Sequence, residues 1–267
     1  MKTIFKILCS ISAPAFLLAA EPANLPQDFE GARIIEKLGN KVDIQNLRFT
    51  DEDGKVLPLS TYFTGKKPVV MILAYYSCPG LCGYLLNGAA NSLRTLNWSI
   101  GSEYEVITLS INPKEGPDLA AKKKLAYLEK YGRLGAEKGW HFLTGKEDQI
   151  VKVAGQLGFG YRYDEKTSEY AHSAGIFVLT PEGKISRVLY GIDFPNKDLK
   201  LSLLEASDGK VGTILDRILM FCYRYDPLSK GYSFVAMRLV QGASAVLVLF
   251  MAVFLFFLFR NERKLSA

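Results

Sequence analysis

Uncharged runs alternate along this chain with segments whose apolar residues recur at helical spacing. The run VVMILAYY, residues 69–76, carries no charge, as expected of a strand buried on both faces. Pro79-Gly80 ends it, and Leu85, Leu86, Ala89, Ala90 and Leu93 then fall on one helical face. A second strand is predicted over Tyr104–Ile111, stopped by Asn112-Pro113, and a helix follows with Pro117 near its start. WHFLTG (140–145) reads as a short strand, KEDQIVKVAGQLGF (146–159) as a helix, and Gly175–Thr180 and Lys184–Tyr190 as strands joined by PEG. Asn196–Ala206 fits a last helix. Upstream, FTDEDGKVLPLSTYF (49–63) reads as a hairpin turning at Asp53-Gly54, and residues 21–40 as an arm or a short first helix. Strands alternating with helices, followed by a hairpin and a final helix, predict an α/β domain over residues 21–208: a central mixed sheet flanked by helices.

The two ends read differently. Lys2 and Lys6 precede an apolar run from Ile7 to Ala20, with small residues before Glu21-Pro22. This is the form of a signal peptide, residues 1–20. Leu239–Phe259 contains no charge and is closed by Arg238 on one side and Arg260, Arg263 and Lys264 on the other. As a helix it would extend roughly 31 Å, the thickness of a bilayer core. A single transmembrane helix is therefore expected at 238–260, after a juxtamembrane connector at 209–237 and before a cytoplasmic tail at 261–267. The positive-inside rule keeps the tail in the cytoplasm and puts the domain on the extracytoplasmic side of the inner membrane, the periplasm of a Gram-negative cell. The formal charge of +6 is largely topogenic. Setting aside those six cations with Glu21 and Glu262 leaves 33 − 6 = 27 basic against 27 − 2 = 25 acidic residues. A near-neutral body carries no nucleic-acid footprint.

Exported cysteines lie where disulfides are permitted. Cys78 and Cys82 stand where the buried run gives way to a helix, and a helix N-terminus favours a thiolate. Thiolates are nucleophiles and soft metal ligands, so the pair suits redox exchange or Cu(I)-like ions. Three residues separate the cysteines, against two in thioredoxin-type dithiols, and two thiolates alone rarely complete a discriminating metal site. His172, 172 − 82 = 90 residues beyond Cys82, precedes a strand that can lie beside the one leading to Cys78. His141, between Trp140 and Phe142, has the setting of a satisfied histidine on a strand edge. Lys122–Lys124 reads as a solvated helix face, with docking of an acidic partner the alternative. Cys222 reads as a buried structural thiol, an intermolecular disulfide partner or a transient copper ligand. A peroxidase would need a peroxide-activating Ser or Thr, for which Ser77 offers little.

YYSCPGLC, the Asn-Pro after the second strand, WHFLTG and YAHSAGIFVLTPEGKI occur here in one order. Together they make residues 24–204 resemble the SCO/SenC family, thioredoxin-like proteins of cytochrome c oxidase assembly. LMFCYRYDPLSKGYSF before the C-terminal apolar segment resembles the branch with a membrane helix there. The resemblance implies a thioredoxin-like fold and a copper site, Cu(I) or Cu(II), made by Cys78, Cys82 and His172. It implies a metallochaperone that takes copper from a donor protein and serves the oxidase subunit carrying the CuA centre. A membrane-tethered thiol–disulfide oxidoreductase acting through Cys78 and Cys82 is the alternative. Two departures bear on copper affinity: Glu169, Tyr170 and Ala171 precede the histidine where the family often has an Asp, and Gly80 stands where an acidic residue is more usual.

Overall fold

The computed structural model describes residues 31–78 and 80–211, together with 225–226, 231–232, 241–242, 244–253 and 255. Its strands are β1 (Arg48–Thr50), β2 (Val56–Pro58), β3 (Val69–Ala74), β4 (Glu105–Ser110), β5 (Trp140–Leu143), β6 (Tyr161–Asp164), β7 (Glu169–His172), β8 (Gly175–Leu179) and β9 (Ile185–Tyr190). Its helices are α1 (Leu81–Thr95), α2 (Pro117–Tyr131), α3 (Glu147–Leu157) and α4 (Asn196–Ser207). Five strands form the central sheet in the order β5-β4-β3-β8-β9. β3 runs parallel to β4, and β4 to β5, while β8 is antiparallel to both β3 and β9. The sheet is therefore mixed, as expected, and β3 lies at its centre with all six residues buried.

β3 stops at Ala74, two residues short of the predicted end. The N–H groups of Tyr76 and Ser77 donate to the Glu115 carboxylate at 2.8 and 2.7 Å and so leave the ladder. α1 touches both α2 and α4 and buries the apolar face foreseen for it, adding Cys82 to that face. Beyond its C-terminus Arg133 donates to the carbonyls of Arg94 (2.7 Å), Leu96 and Trp98 (2.9 Å). The Arg94 carbonyl is one of the acceptors that a helix end leaves without intrahelical partners, and those of Leu96 and Trp98 belong to the cap and the loop beyond it. The β1–β2 hairpin turns where expected, and Asp51 Oδ1 accepts the N–H groups of Asp53 (3.0 Å) and Lys55 (2.7 Å). Residues 31–40 form an arm, not a helix, bridged to the rest through Ile34 and Phe159.

The β6–β7 hairpin was not foreseen. It is a separate two-stranded sheet built from YRYD and EYAH, held by rings of Tyr161, Tyr163 and Tyr170 whose centroids lie 5.0–6.0 Å apart. His172 is the last residue of β7, so the sequence's "residue just before a strand" is itself on a strand.

Two side chains outside the cysteine region depart from or sharpen expectation. Lys124 is not on a solvated face: it pairs with Glu52, both side chains being largely buried. Glu52 Oε2 also accepts the N–H of Phe142 at 3.0 Å, which satisfies a free donor on the edge strand β5. His141 sits on that same edge strand, its ring 4.4 Å from that of Tyr62 and its Nδ1 4.0 Å from Glu52. Burial, opposed by Glu52 and assisted by the Lys124 charge, pulls its pKa down to about 4. The unfolded chain takes up this proton near pH 6.5. Hence the contribution is fully present above about pH 6.5 and is lost as pH falls toward about 4, in all about 3 kcal/mol. Chemical denaturation between these pH values should show this acid loss, and His141→Gln should flatten it. An unchanged slope in the variant would assign the loss elsewhere.

Cys9 and Cys222 lie outside the described residues, as do the expected leader and tail and nearly all of the connector. Among the described residues no helix is long and apolar enough to cross a membrane. Of the span expected at 238–260, residues 241–242, 244–253 and 255 are described; they are helical and exposed.

Candidate metal centre

β3 delivers the chain to a tight turn, Tyr75–Ser77, and then to Cys78 at the entrance of α1. Gly80 holds the N-cap position and has no side chain to accept the first N–H groups of the helix. Cys78 Sγ does so instead, accepting from Gly80 N–H at 3.4 Å, and the Cys82 N–H and the Tyr75 hydroxyl also bond to it. Burial works against a Cys78 thiolate, but these donors outweigh it and hold its pKa below the ordinary thiol value.

Cys82 lies one residue inside α1 and is 1% exposed. Here the expected effect of the helix end is overturned: burial pushes the Cys82 thiol far up, and the charges of Cys78 and Glu115 add to that. The two cysteines thus have opposite characters, a half-buried sulphur that favours thiolate and a buried one that keeps its proton. Both are free thiols.

That proton has an acceptor. His172 Nε2 stands 2.9 Å from Cys82 Sγ, and His172 Nδ1 stands 3.0 Å from the carbonyl oxygen of Ser173. A carbonyl only accepts, so Nδ1 carries the ring hydrogen and Nε2 presents its lone pair to the Cys82 S–H. Burial lowers the His172 pKa, partly countered by the Ser173 bond, and keeps the ring neutral. Phe159 (5.5 Å between centroids) and Tyr75 (6.5 Å) wall the imidazole. The hairpin pairs Tyr161 with His172, and β8 lies against β3, which together carry the histidine across 90 residues to the cysteines.

The three expected ligands therefore share one neighbourhood. Cys82 and His172 touch, and Cys78 bonds to Cys82. Among the described residues, however, no three Cys, His, Asp or Glu side chains stand together as a ready metal cage. What exists is a two-donor core with a third donor beside it. Its chemistry fits copper: two sulphurs and an imidazole nitrogen whose outer nitrogen is held by a carbonyl. His141 is on the far edge strand and takes no part. The residue that sequence reasoning missed is Glu115, which holds the turn before Cys78; its place two residues after Asn112-Pro113 gave no signal of it.

The SCO1/SenC family model matches residues 38–200, more than half of the chain. The chain belongs to the SCO1/SenC family. Solved structures share the fold at low identity. A protein of Aquifex aeolicus is 21% identical with a TM-score of 0.55, over 65% of this chain and 95% of that one. A SCO1/SenC family lipoprotein of Bacillus anthracis is 18% identical with a TM-score of 0.50, over 65% and 99%. BsSco, a member of the Sco family of cytochrome c oxidase assembly proteins in which a disulfide switch was identified, is 19% identical with a TM-score of 0.51, over 65% and 98%. The mixed sheet and its helices are thus the thioredoxin-like fold of Sco proteins. No curated protein matches the chain.

Proposed function

We propose that this SCO1/SenC protein is a copper metallochaperone for the CuA centre of cytochrome c oxidase. It takes copper from a donor protein, holds it through Cys78, Cys82 and His172, and passes it to the CuA-bearing subunit. The observation that carries the reading is the neutral His172 with its Nε2 lone pair aimed at Cys82 Sγ at 2.9 Å. A buried imidazole so placed is of little use to a structural disulfide. Copper, as cargo, would replace the Cys82 proton between sulphur and nitrogen and draw in the Cys78 thiolate. We place the domain on the periplasmic face of the inner membrane, anchored by the helix at 238–260 after loss of residues 1–20.

The asymmetry of the cysteines supports thiol–disulfide exchange as a second activity of the same site. The Cys78 thiolate would attack a partner's disulfide and release one partner thiolate. Cys82 would then give up its proton and attack Cys78, forming the Cys78–Cys82 disulfide and freeing the second partner thiol. Two electrons pass to the partner, which is what a CuA-bearing subunit with oxidised cysteines would require before metallation.

The detergent-solubilised, reduced chain should take up one equivalent of Cu(II) with a sulphur-to-copper charge-transfer band, lost in Cys78→Ser and Cys82→Ser. A chain that gave no band and bound no Cu(I), yet reduced insulin disulfides, would reverse the order of the two readings.

A further inference from the structure

The exposed surface of α1 differs from that of the other helices. From Leu81 to Leu93 it holds no charged residue, whereas exposed positions of α2 (Asp118, Lys122), α3 (Asp148, Lys152) and α4 (Lys197, Asp198) carry both signs. Leu81 and Tyr84 share one face of its first turn and are 42% and 65% exposed. One turn beyond Tyr84 comes Gly88, and the loop between β9 and α4 lies directly on it. A side-chain carbon on Gly88 would stand 1.6 Å from the Ile192 carbonyl oxygen. That loop is fixed at both ends: Gly191 N–H donates to the Ala174 carbonyl at 3.1 Å, and Phe194 N–H to the Ser92 hydroxyl at 3.2 Å. It adds a third exposed apolar side chain, Ile192. Charge returns only at the margin, where Lys130 Nζ donates to Asn87 Oδ1 at 2.8 Å and Asp193 is exposed next to Ile192. An uncharged centre with a charged rim is the anatomy of a protein–protein interface.

Its position says what covers it. Cys82 is 1% exposed, so an incoming protein reaches the pair only through the half-buried Cys78. Leu81 is three residues from Cys78, so their Cα atoms are at most about 11 Å apart, and Tyr84 lies only about 5 Å further along the helix axis. A standard interface buries about 800 Å² of each partner, a disc roughly 16 Å in radius. Centred on Cys78, it takes in the first turn of α1. A charged partner face would lose its water there without gaining a counter-ion, whereas an apolar one loses nothing.

We propose that Leu81, Tyr84 and Ile192 form the docking surface for the copper acceptor, a protein whose own metal-binding thiols are set in an uncharged, apolar surface. This rests on the reading above, in which that protein is the CuA-bearing subunit. Copper crosses as Cu(I), its bonds to Cys78 and Cys82 exchanged for bonds to acceptor thiolates, with no change of oxidation state. The patch holds the partner and contributes nothing to copper affinity.

The test separates docking from copper binding. The full chain in detergent is loaded with Cu(I) and mixed with the reduced CuA-bearing subunit or, separately, with bathocuproine disulfonate, a chelator too small to need a docking surface. Copper remaining on the chain is followed with time. The double variant Leu81→Ser, Tyr84→Ser should give copper to the subunit at least about tenfold more slowly, and to the chelator within about twofold of the parent rate. Ile192→Ser lies outside the helix and should slow transfer to the subunit at least about threefold, which reads the patch even if the double variant does not fold. Transfer to the subunit at the parent's rate in these variants overturns the proposal. So does equal slowing toward subunit and chelator, which places the effect in the copper site. A parent that holds no Cu(I), or gives none to the subunit, refutes the reading itself and the proposal with it, a result visible in the parent alone.

Discussion

His172→Ala is expected to lower Cu(II) affinity by at least about 100-fold while lowering Cu(I) affinity by only about tenfold. Two thiolates can hold Cu(I) by themselves, because the ion is soft and accepts low coordination. Cu(II) needs a nitrogen donor and a higher coordination number, and among the described residues His172 is the only imidazole near the cysteines. Competition titrations with chelators specific for each oxidation state give the two affinities separately. Equal losses for both ions would mean that the histidine acts by holding Cys82 in place. The same titrations carry a pH test. His172 is already neutral near pH 7, so it contributes no proton competition there, whereas Cys82 must release the proton that burial holds on it. Affinity should therefore rise as pH rises from neutrality, by up to about tenfold per unit, until that thiol is spent.

The parts of this site that could be read from the sequence are those fixed by local pattern. A charge-free run has one good solution, the centre of a sheet. Pro79-Gly80 after it and helical spacing beyond it put Cys78 and Cys82 at a strand–helix junction. The histidine is legible because the chain offers only two, and His141 is set aside on its apolar neighbours. The parts that could not be read are set by contacts between distant segments. YRYD and EYAH are half polar and short, and they become strands because three tyrosine rings meet across them. Lys124 looks like its two lysine neighbours until Glu52 is brought to it. The Cys82 thiol is the clearest case. Sequence position argues for a lowered pKa, because the helix end favours anions. Position inside the core argues the opposite, and the cost of burying a charge exceeds what the first turn of a helix supplies. Which side wins depends on depth, and depth is a tertiary quantity.

Gly158→Ala should be strongly destabilising and should reach the site through the arm. Gly158 closes α3 with φ +75°, a conformation that costs alanine about 1 kcal/mol. A methyl there would stand 1.9 Å from the carbonyl oxygen of Ile35, which is backbone and cannot rotate away. The arm would have to move, and the arm is tied down nearby. Ile35 N–H donates to the Gly158 carbonyl at 2.8 Å, Gly160 N–H to the Arg33 carbonyl at 2.8 Å, and the Ser173 hydroxyl to the Ala32 carbonyl at 2.8 Å. Overpacking of this kind adds about 1–3 kcal/mol, so a loss of about 3 kcal/mol is expected, or roughly 6–12 °C in melting temperature. Because Ser173 also holds His172 Nδ1 through its carbonyl, Cu(II) affinity should fall with stability. Gly155→Ala is the matched control. It lies inside α3 with nothing within 4 Å of the added carbon, so there helix propensity alone acts and should stabilise by up to about 1 kcal/mol. A difference between the two substitutions well beyond the roughly 2 kcal/mol that left-handed strain and helix propensity supply, with a matching fall in Cu(II) affinity, would show that the arm, docked on the α3 terminus, braces the strand that carries the histidine. Equal effects would place the cost in the helix itself and detach the arm from the metal site.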